Sequence, residues 1–289
     1  MSAGKAKVLI IGGAGMLGTP VTKALAAAGH EVTALVRGEG AKLPAGVRAV
    51  VGDLFDPATL AKAMAGQEAL YLNLATQPTE RETDRLMERE GVQLMLAAAK
   101  AAGVKRVLML SPLVMELQGQ GGFDWWVFRM KQAAERAVLE SGLTATVFRA
   151  SSFMENFTGG MRQGTKLNLA GKAKHPSWYL AGDDLGRWVV KALSLPQTGN
   201  ESYVAQGPEA LMPEVGATRF IAAYKKEQLT LQKAPLAVLK FIGLFSRSMG
   251  SISKMLGALN EYPETFRAQK TWDTLGAPTV RVEDYAASR

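Results

Sequence analysis

The sequence predicts an α/β fold: a doubly wound parallel sheet with a smaller, mostly helical C-terminal substrate subdomain. Three observations carry this. Between residues 7 and 149, short β-branched or aliphatic runs alternate with longer helical stretches, the pattern of successive βαβ units. Each run is apolar nearly throughout, as a strand covered on both faces must be. Gly29, Gly103 and Gly142 stand between a helical stretch and the next strand, where a left-handed residue ends a helix.

In order, strands are expected at residues 7–11, 31–36, 47–51, 69–74, 104–110 and 143–148, with helices filling the gaps. After Phe148 the alternation weakens. A loop-rich stretch over 150–181 leads to a helix over 184–195, with Asp183 as its N-cap, and residues 203–205 read as one more strand. Further helical stretches cover 213–226 and 235–259. The chain so divides into a core of residues 1–154, completed by about 182–206, and a substrate-covering subdomain of 155–181 and 207–289.

A length of 289 residues gives ample apolar side chain for one large domain. There is no cysteine, which excludes disulfides, thiolate catalysis and cysteine metal sites and favours a cytoplasmic address. With 47% hydrophobic and 21% charged residues, the composition is that of an ordered globular chain. Val8–Ile11 resembles the apolar part of a signal peptide, but glycines at once interrupt it. No uncharged apolar stretch reaches the roughly 18 to 20 residues of a spanning helix. The net charge is +8, and residues 219–254 hold seven basic side chains against Glu227 alone. No basic run carries interleaved aromatics, so nucleic acid is not an expected partner. His30 and His175 lack acidic neighbours at metal-ligand spacing, and no Gly-x-Ser-x-Gly elbow is present.

The sharpest motif is Gly12-Gly13-Ala14-Gly15-Met16-Leu17-Gly18, directly after the first strand and opening the first helix. Such glycines let backbone approach a pyrophosphate, which the helix N-terminus stabilises. This context points to a Rossmann-type dinucleotide site including Met16 and Leu17; a tight turn without ligand is the structural alternative. After strand two an NAD site carries an acidic residue. Here Arg37 stands 19 positions past Gly18 and could pair with a 2′-phosphate, so NADP(H) is preferred and NAD(H) remains possible. Asp53-Leu54 follows strand three, where Asp53 could accept from adenine or form an Asx turn. Asn73-Leu74-Ala75 and Ser111 end strands four and five on the same edge, where ligands of open α/β sheets lie. Ser111 could bond substrate, nicotinamide or local backbone.

Farther on, Lys131 and Glu135 are spaced i, i+4 on an expected helix, compatible with a surface pair. Trp125 and Trp126, with Phe123, could line an apolar pocket or serve as core contacts at the helix start. Phe153, Glu155 and Asn156 follow strand six, where they could face substrate or close a turn. The stretch 235–259 alternates apolar residues with Lys240, Arg247 and Lys254; a lid, plain packing or attachment to an anionic membrane would each suit it.

Taken together, Gly12-x-x-Gly15-x-x-Gly18, Arg37, Asp53-Leu54, Lys131 to Glu135, Ser141-Gly142-Leu143, Thr146 to Arg149 and Phe153 to Phe157 resemble the NmrA-like group of atypical short-chain dehydrogenases/reductases. The resemblance covers most of residues 5–210. It implies a Rossmann core, NADP(H), and either reduction of small electrophiles such as quinones or cofactor sensing without turnover. It also implies that Lys131 binds the nicotinamide ribose. Related enzymes use a Tyr-x-x-x-Lys pair in which the phenol moves a proton; here Val127 holds the tyrosine position, and neither Trp125, Trp126 nor Phe128 can replace it. The leading expectation is therefore an NADPH-dependent oxidoreductase passing hydride to a small, apolar, conjugated acceptor, such as a quinone, an enone or a similar carbonyl. A non-catalytic NADP(H)-binding redox sensor is the alternative. A third reading, an NAD-dependent nucleotide-sugar epimerase or dehydratase, is weakened by Arg37 and Val127.

Overall fold

The computed structural model describes residues 5–289. Seven strands form one parallel sheet: β1 (Lys7–Ile11), β2 (Glu31–Val36), β3 (Arg48–Val51), β4 (Ala69–Leu72), β5 (Arg106–Pro112), β6 (Thr144–Ala150) and β10 (Glu201–Ala205). Their spatial order is β3-β2-β1-β4-β5-β6-β10, and every pairing is parallel. Alternate residues of β1 feed opposite faces. Leu9 and Ile11 pack with Leu60, Met95 and Val138 of α2 (Pro57–Met64), α3 (Val92–Ala101) and α4 (Trp126–Leu139). Val8 and Ile10 pack with Val21, Leu25, Leu185 and Trp188 of α1 (Gly18–Ala27) and α6 (Gly182–Ser194). Two buried faces explain why the strands read as continuous apolar runs. Gly29, Gly103 and Gly142 do adopt positive φ at the ends of α1, α3 and α4.

Past β6 the chain leaves the sheet through α5 (Glu155–Thr158), β7 (Arg162–Gln163), β8 (Lys166–Ala170) and β9 (Ser177–Trp178) before α6. The loop-rich expectation for 150–181 is thus corrected: β8 pairs in parallel with β12 (Thr230–Ala234) and antiparallel with β7. After β10, β11 (Ala210–Leu211) pairs with β9, and α7 (Pro213–Ala223) closes a third apolar cluster in which Phe220 stacks on Phe157 and Tyr224. The single helix expected over 235–259 is two, α8 (Leu236–Gly243) and α9 (Arg247–Glu261), because Ser246 leaves helical geometry and caps α9 by accepting from Met249 N–H.

The cap expected from Asp183 is also corrected. Helix α6 begins at Gly182, whose N–H donates to Glu155 Oε1 at 2.9 Å, while Asp183 pairs with Arg289. A carboxylate distant in sequence satisfies the helix start that a local one was expected to serve.

The C-terminal segment contains α10 (Gln269–Leu275) and α11 (Val282–Ala287). It returns to the core through Asp184, which is fully buried and accepts from the backbone N–H groups of Thr279 and Val280 and from the Thr279 hydroxyl, besides pairing with Arg187. Removing that acceptor strands buried donors. Asp184→Ala is expected to lower stability by about 3 kcal/mol in urea unfolding, and Asp184→Asn by roughly half as much because one acceptor oxygen remains; a loss under about 1 kcal/mol for the alanine variant would contradict the clamp.

Candidate functional site

Strand order reverses at β1, with β2 on one side and β4 on the other, and the crevice beyond the carboxyl ends of β1 and β4 is where such a sheet takes ligands. Gly12 turns there with φ +77°, and a Cβ on it would stand 2.3 Å from the carbonyl oxygen of Asn73. A Cβ at Gly18 would lie 1.9 Å from the Gly12 carbonyl oxygen, so these two glycines are required by the protein's own packing. Gly15 differs. It is exposed, and the only contact its Cβ would make is at 3.2 Å. The internal structure demands little at this position, whereas a phosphate resting on the backbone would.

Helix α1 has no side-chain N-cap and no acidic residue in its first turn, leaving its positive end open to an anion. Met16 is exposed, and its sulfur lies 2.8 Å from where a Gly159 Cβ would be. This contact brings the glycine turn beside the end of α5. Leu17 packs against the α1/α6 face of the sheet. Arg37 projects from the end of β2, exposed, with no ion pair among the described residues. Asp53 uses Oδ1 to accept from Phe55 N–H at 3.0 Å; this Asx turn leaves its exposed carboxylate facing solvent. Leu54 and Leu74 pack into the core, and Asn73 and Ala75 stay accessible at the end of β4.

Lys131 does not pair with Glu135. Its ammonium lies 3.0 Å from Glu88 Oε1, while Glu135 binds Arg149 of β6. Glu88 is almost wholly buried in a π turn (Met87–Gly91) and also accepts from the Thr76 hydroxyl at 2.8 Å. Burial pushes its carboxyl upward, but the Lys131 charge and the hydrogen bonds from Lys131, Thr76 and its own backbone N–H outweigh that and hold it below the ordinary value. Lys131 is therefore a fixed cation beside the end of β4. Sequence reasoning missed Glu88 and Thr76, because Glu88 belongs to the charge-rich run 80–90, which reads as a solvated face. The irregular turn that buries it was a possible signal only once Gly91 is seen in contact with Leu54, whose Cδ1 would lie 2.9 Å from a Cβ there.

The other candidates divide between site and core. Ser111 is completely buried, its hydroxyl 3.5 Å from the sulfur of Met115. Trp125 and Trp126 join Val127, Phe128 and residues of the 3-10 turn Leu113–Leu117 in an apolar cluster covered by Ala258, Met255 and Tyr262. Phe153 packs into the α1/α6 face and bridges to Leu180. Asn156 is half-buried at the start of α5. Glu155 is buried between α1 and α6: a Cβ at Gly182 would meet Pro20 at 2.7 Å and Glu155 Oε1 at 2.9 Å.

Burial pushes the Glu155 carboxyl up to about 7, against the N–H of Gly182 and its own backbone N–H, which pull it down. Its second oxygen has no partner among the described residues. The native state so keeps a proton that the unfolded chain has released once pH passes the ordinary value of 4.5. Stability must fall as pH rises from there to about 7, by roughly 3 kcal/mol, and stay lower above. Glu155→Gln keeps the oxygen that caps α6 and removes the titration. In unfolding titrations the variant is expected to flatten this slope, and an unchanged slope would assign it to other groups.

Comparison with known proteins agrees with this geometry. The sequence profile of the NAD(P)H-binding family matches residues 12–196. An NAD(P)H azoreductase of Xenophilus azovorans is 28% identical over 264 residues, covering 88% of this chain and 85% of that protein. Among solved structures, a nucleoside-diphosphate-sugar epimerase of Staphylococcus aureus superposes with a TM-score of 0.73 at 17% identity, covering 97% and 99% of the two chains. An NADPH-dependent quinone oxidoreductase of Escherichia coli, complexed with NADPH, superposes with a TM-score of 0.66 at 22% identity, again covering 97% and 99%. The two structural likenesses show a shared fold and leave chemistry to the residues. With its glycine turn at the switch point of a Rossmann sheet, the chain belongs to the NAD(P)H-binding family, in the NmrA-like group of atypical short-chain dehydrogenases/reductases.

Proposed function

We propose that this protein is an NADPH-dependent reductase of small, apolar, conjugated acceptors such as quinones or enones. The observation that carries the reading is the glycine turn under an uncapped helix N-terminus, with the exposed Arg37 at the end of the neighbouring strand. The open end of α1 and the bare backbone of Gly15 suit the pyrophosphate, and Arg37 suits the 2′-phosphate. When bound, NADPH supplies a hydride, which with one proton takes a quinone to its hydroquinone and leaves NADP⁺.

The remaining work falls to this chain's side chains. Lys131 gives one of its three donors to Glu88, leaving two for the nicotinamide ribose hydroxyls. Asp53 can receive the adenine amino group. Buried Val127, in the place of a proton-moving phenol, neither gives nor takes a proton, so solvent must protonate the reduced acceptor. A quinone tolerates that, because its hydroquinone anion is stable enough to wait for water. The azoreductase relative supports a conjugated acceptor. Trp126, the first residue of α4, and Phe123, three residues before it, are partly buried and form the aromatic surface proposed to meet it.

Two measurements test the reading. Calorimetry is expected to show NADPH bound more tightly than NADH, with Arg37→Ala weakening NADPH by roughly 10- to 100-fold and leaving NADH unchanged. Equal loss for both cofactors would remove the 2′-phosphate assignment. In steady-state assays across quinones, enones and azo compounds, the charge-balanced pair Glu88→Gln with Lys131→Met should cut kcat/KM by about tenfold or more while the protein stays folded. NADPH binding without turnover of any acceptor would instead favour a redox sensor.

A further inference from the structure

Residues 228–260 contain no acidic side chain, while Lys233, Lys240, Arg247 and Lys254 recur at intervals of seven. Within this span α8 and α9 fold into a hairpin that closes at two glycines: a Cβ at Gly243 would stand 2.8 Å from Gly250 Cα. No residue of α8 is buried. At its tip Phe241, Leu244 and Phe245 are 63%, 76% and 82% exposed, and Val238, Ile242 and Ile252 of the same two helices are exposed as well. The rings of Phe241 and Phe245 meet edge-on at 5.7 Å. Lys240 directly precedes this tip, and Arg247 follows it after Ser246.

We propose that the α8–α9 tip docks the protein on an anionic lipid bilayer. Apolar side chains flanked by cations suit the interface of such a membrane, where the rings enter the acyl boundary and the charged groups reach lipid phosphates. A second copy of the chain fits less well, since an isologous contact would set Lys240 and Arg247 against their own counterparts, and the hairpin's one acidic residue, Glu261, lies at its far end paired with Lys174. The base of the hairpin is anchored: Ser253 and Ala258 of α9 are buried, and Ala258, Met255 and Leu259 pack with the Leu113–Leu117 turn that follows β5. A docked tip thus sets the carboxyl edge of the sheet near the bilayer, where apolar acceptors dissolve. Only this last point rests on the reductase reading.

The test is co-sedimentation of the full chain with phosphatidylcholine vesicles, with and without a one-third share of phosphatidylglycerol, at low and high salt. Far-UV circular dichroism and NADPH affinity are the folding controls for the variants. Anionic vesicles are expected to take up the protein about tenfold more strongly than neutral ones, with the excess lost in high salt. Phe241→Ser with Phe245→Ser should weaken binding to anionic vesicles by about tenfold or more, and Lys240→Glu with Arg247→Glu should abolish the preference for them. Equal partition to both compositions, or no effect of the phenylalanine changes, overturns the proposal. So does a wild-type dimer that the phenylalanine changes convert to monomers, which would make the tip a self-interface. Failure of NADPH turnover with docking intact would count only against the reductase reading.

Discussion

The fold turns on a backbone crossing that leaves no room for side chains. Gly18 sits on the carbonyl of Gly12, and Gly12 sits on that of Asn73, so the first strand, the first helix and the end of β4 meet at backbone contact distance. The same tightness continues away from the crevice. Gly182 and Gly186 of α6 press on Pro20, and Gly186 also on Ala24, so α1 and α6 lie together over one face of the sheet. The position of the helix N-terminus, proposed to receive the cofactor's pyrophosphate, is a product of this packing rather than of any charged residue.

Much of this was legible in the chain. A buried parallel strand has to be apolar throughout, so six strands announced themselves with ends displaced by a few residues at most, and every candidate that directly follows a strand could be placed on the ligand edge by topology alone. Gly12, Arg37, Asp53 and Asn73 are of that kind. What escaped depends on partners far away in sequence. Strand β8 pairs with β12 across some sixty residues, and its alternating Lys-Leu-Asn-Leu-Ala is too short to declare itself without that distant partner. The start of α6 is capped by Glu155 instead of the adjacent Asp183, and Lys131 reaches back to Glu88 instead of along its own helix to Glu135. In each case the local rule offered an adequate partner and tertiary structure supplied another.

Two buried glutamates show how environment sets them apart. Each leaves its second oxygen without a partner among the described residues, but Glu88 has a cation and a hydroxyl on the first and holds its charge, whereas Glu155 has chiefly backbone N–H groups and tends to keep its proton. The first fixes a lysine at the end of β4. The second, on α5, accepts from the first N–H of α6 beside Pro20 of α1, so the protonation state of one carboxyl bears on how these three helices meet.

The buried Asp184 clamp also orders the protein's birth. Helix α6 belongs to the central sandwich, and nearly two-thirds of the chain suffices to write it, yet its buried carboxylate takes backbone partners from residues 279 and 280. Those residues are synthesised only after the sheet's seventh strand. Until they are made, Asp184 has water and Arg187, three residues along, as partners; its buried form depends on a segment some ninety-five residues downstream, so one face of the sheet is completed by chain that arrives late.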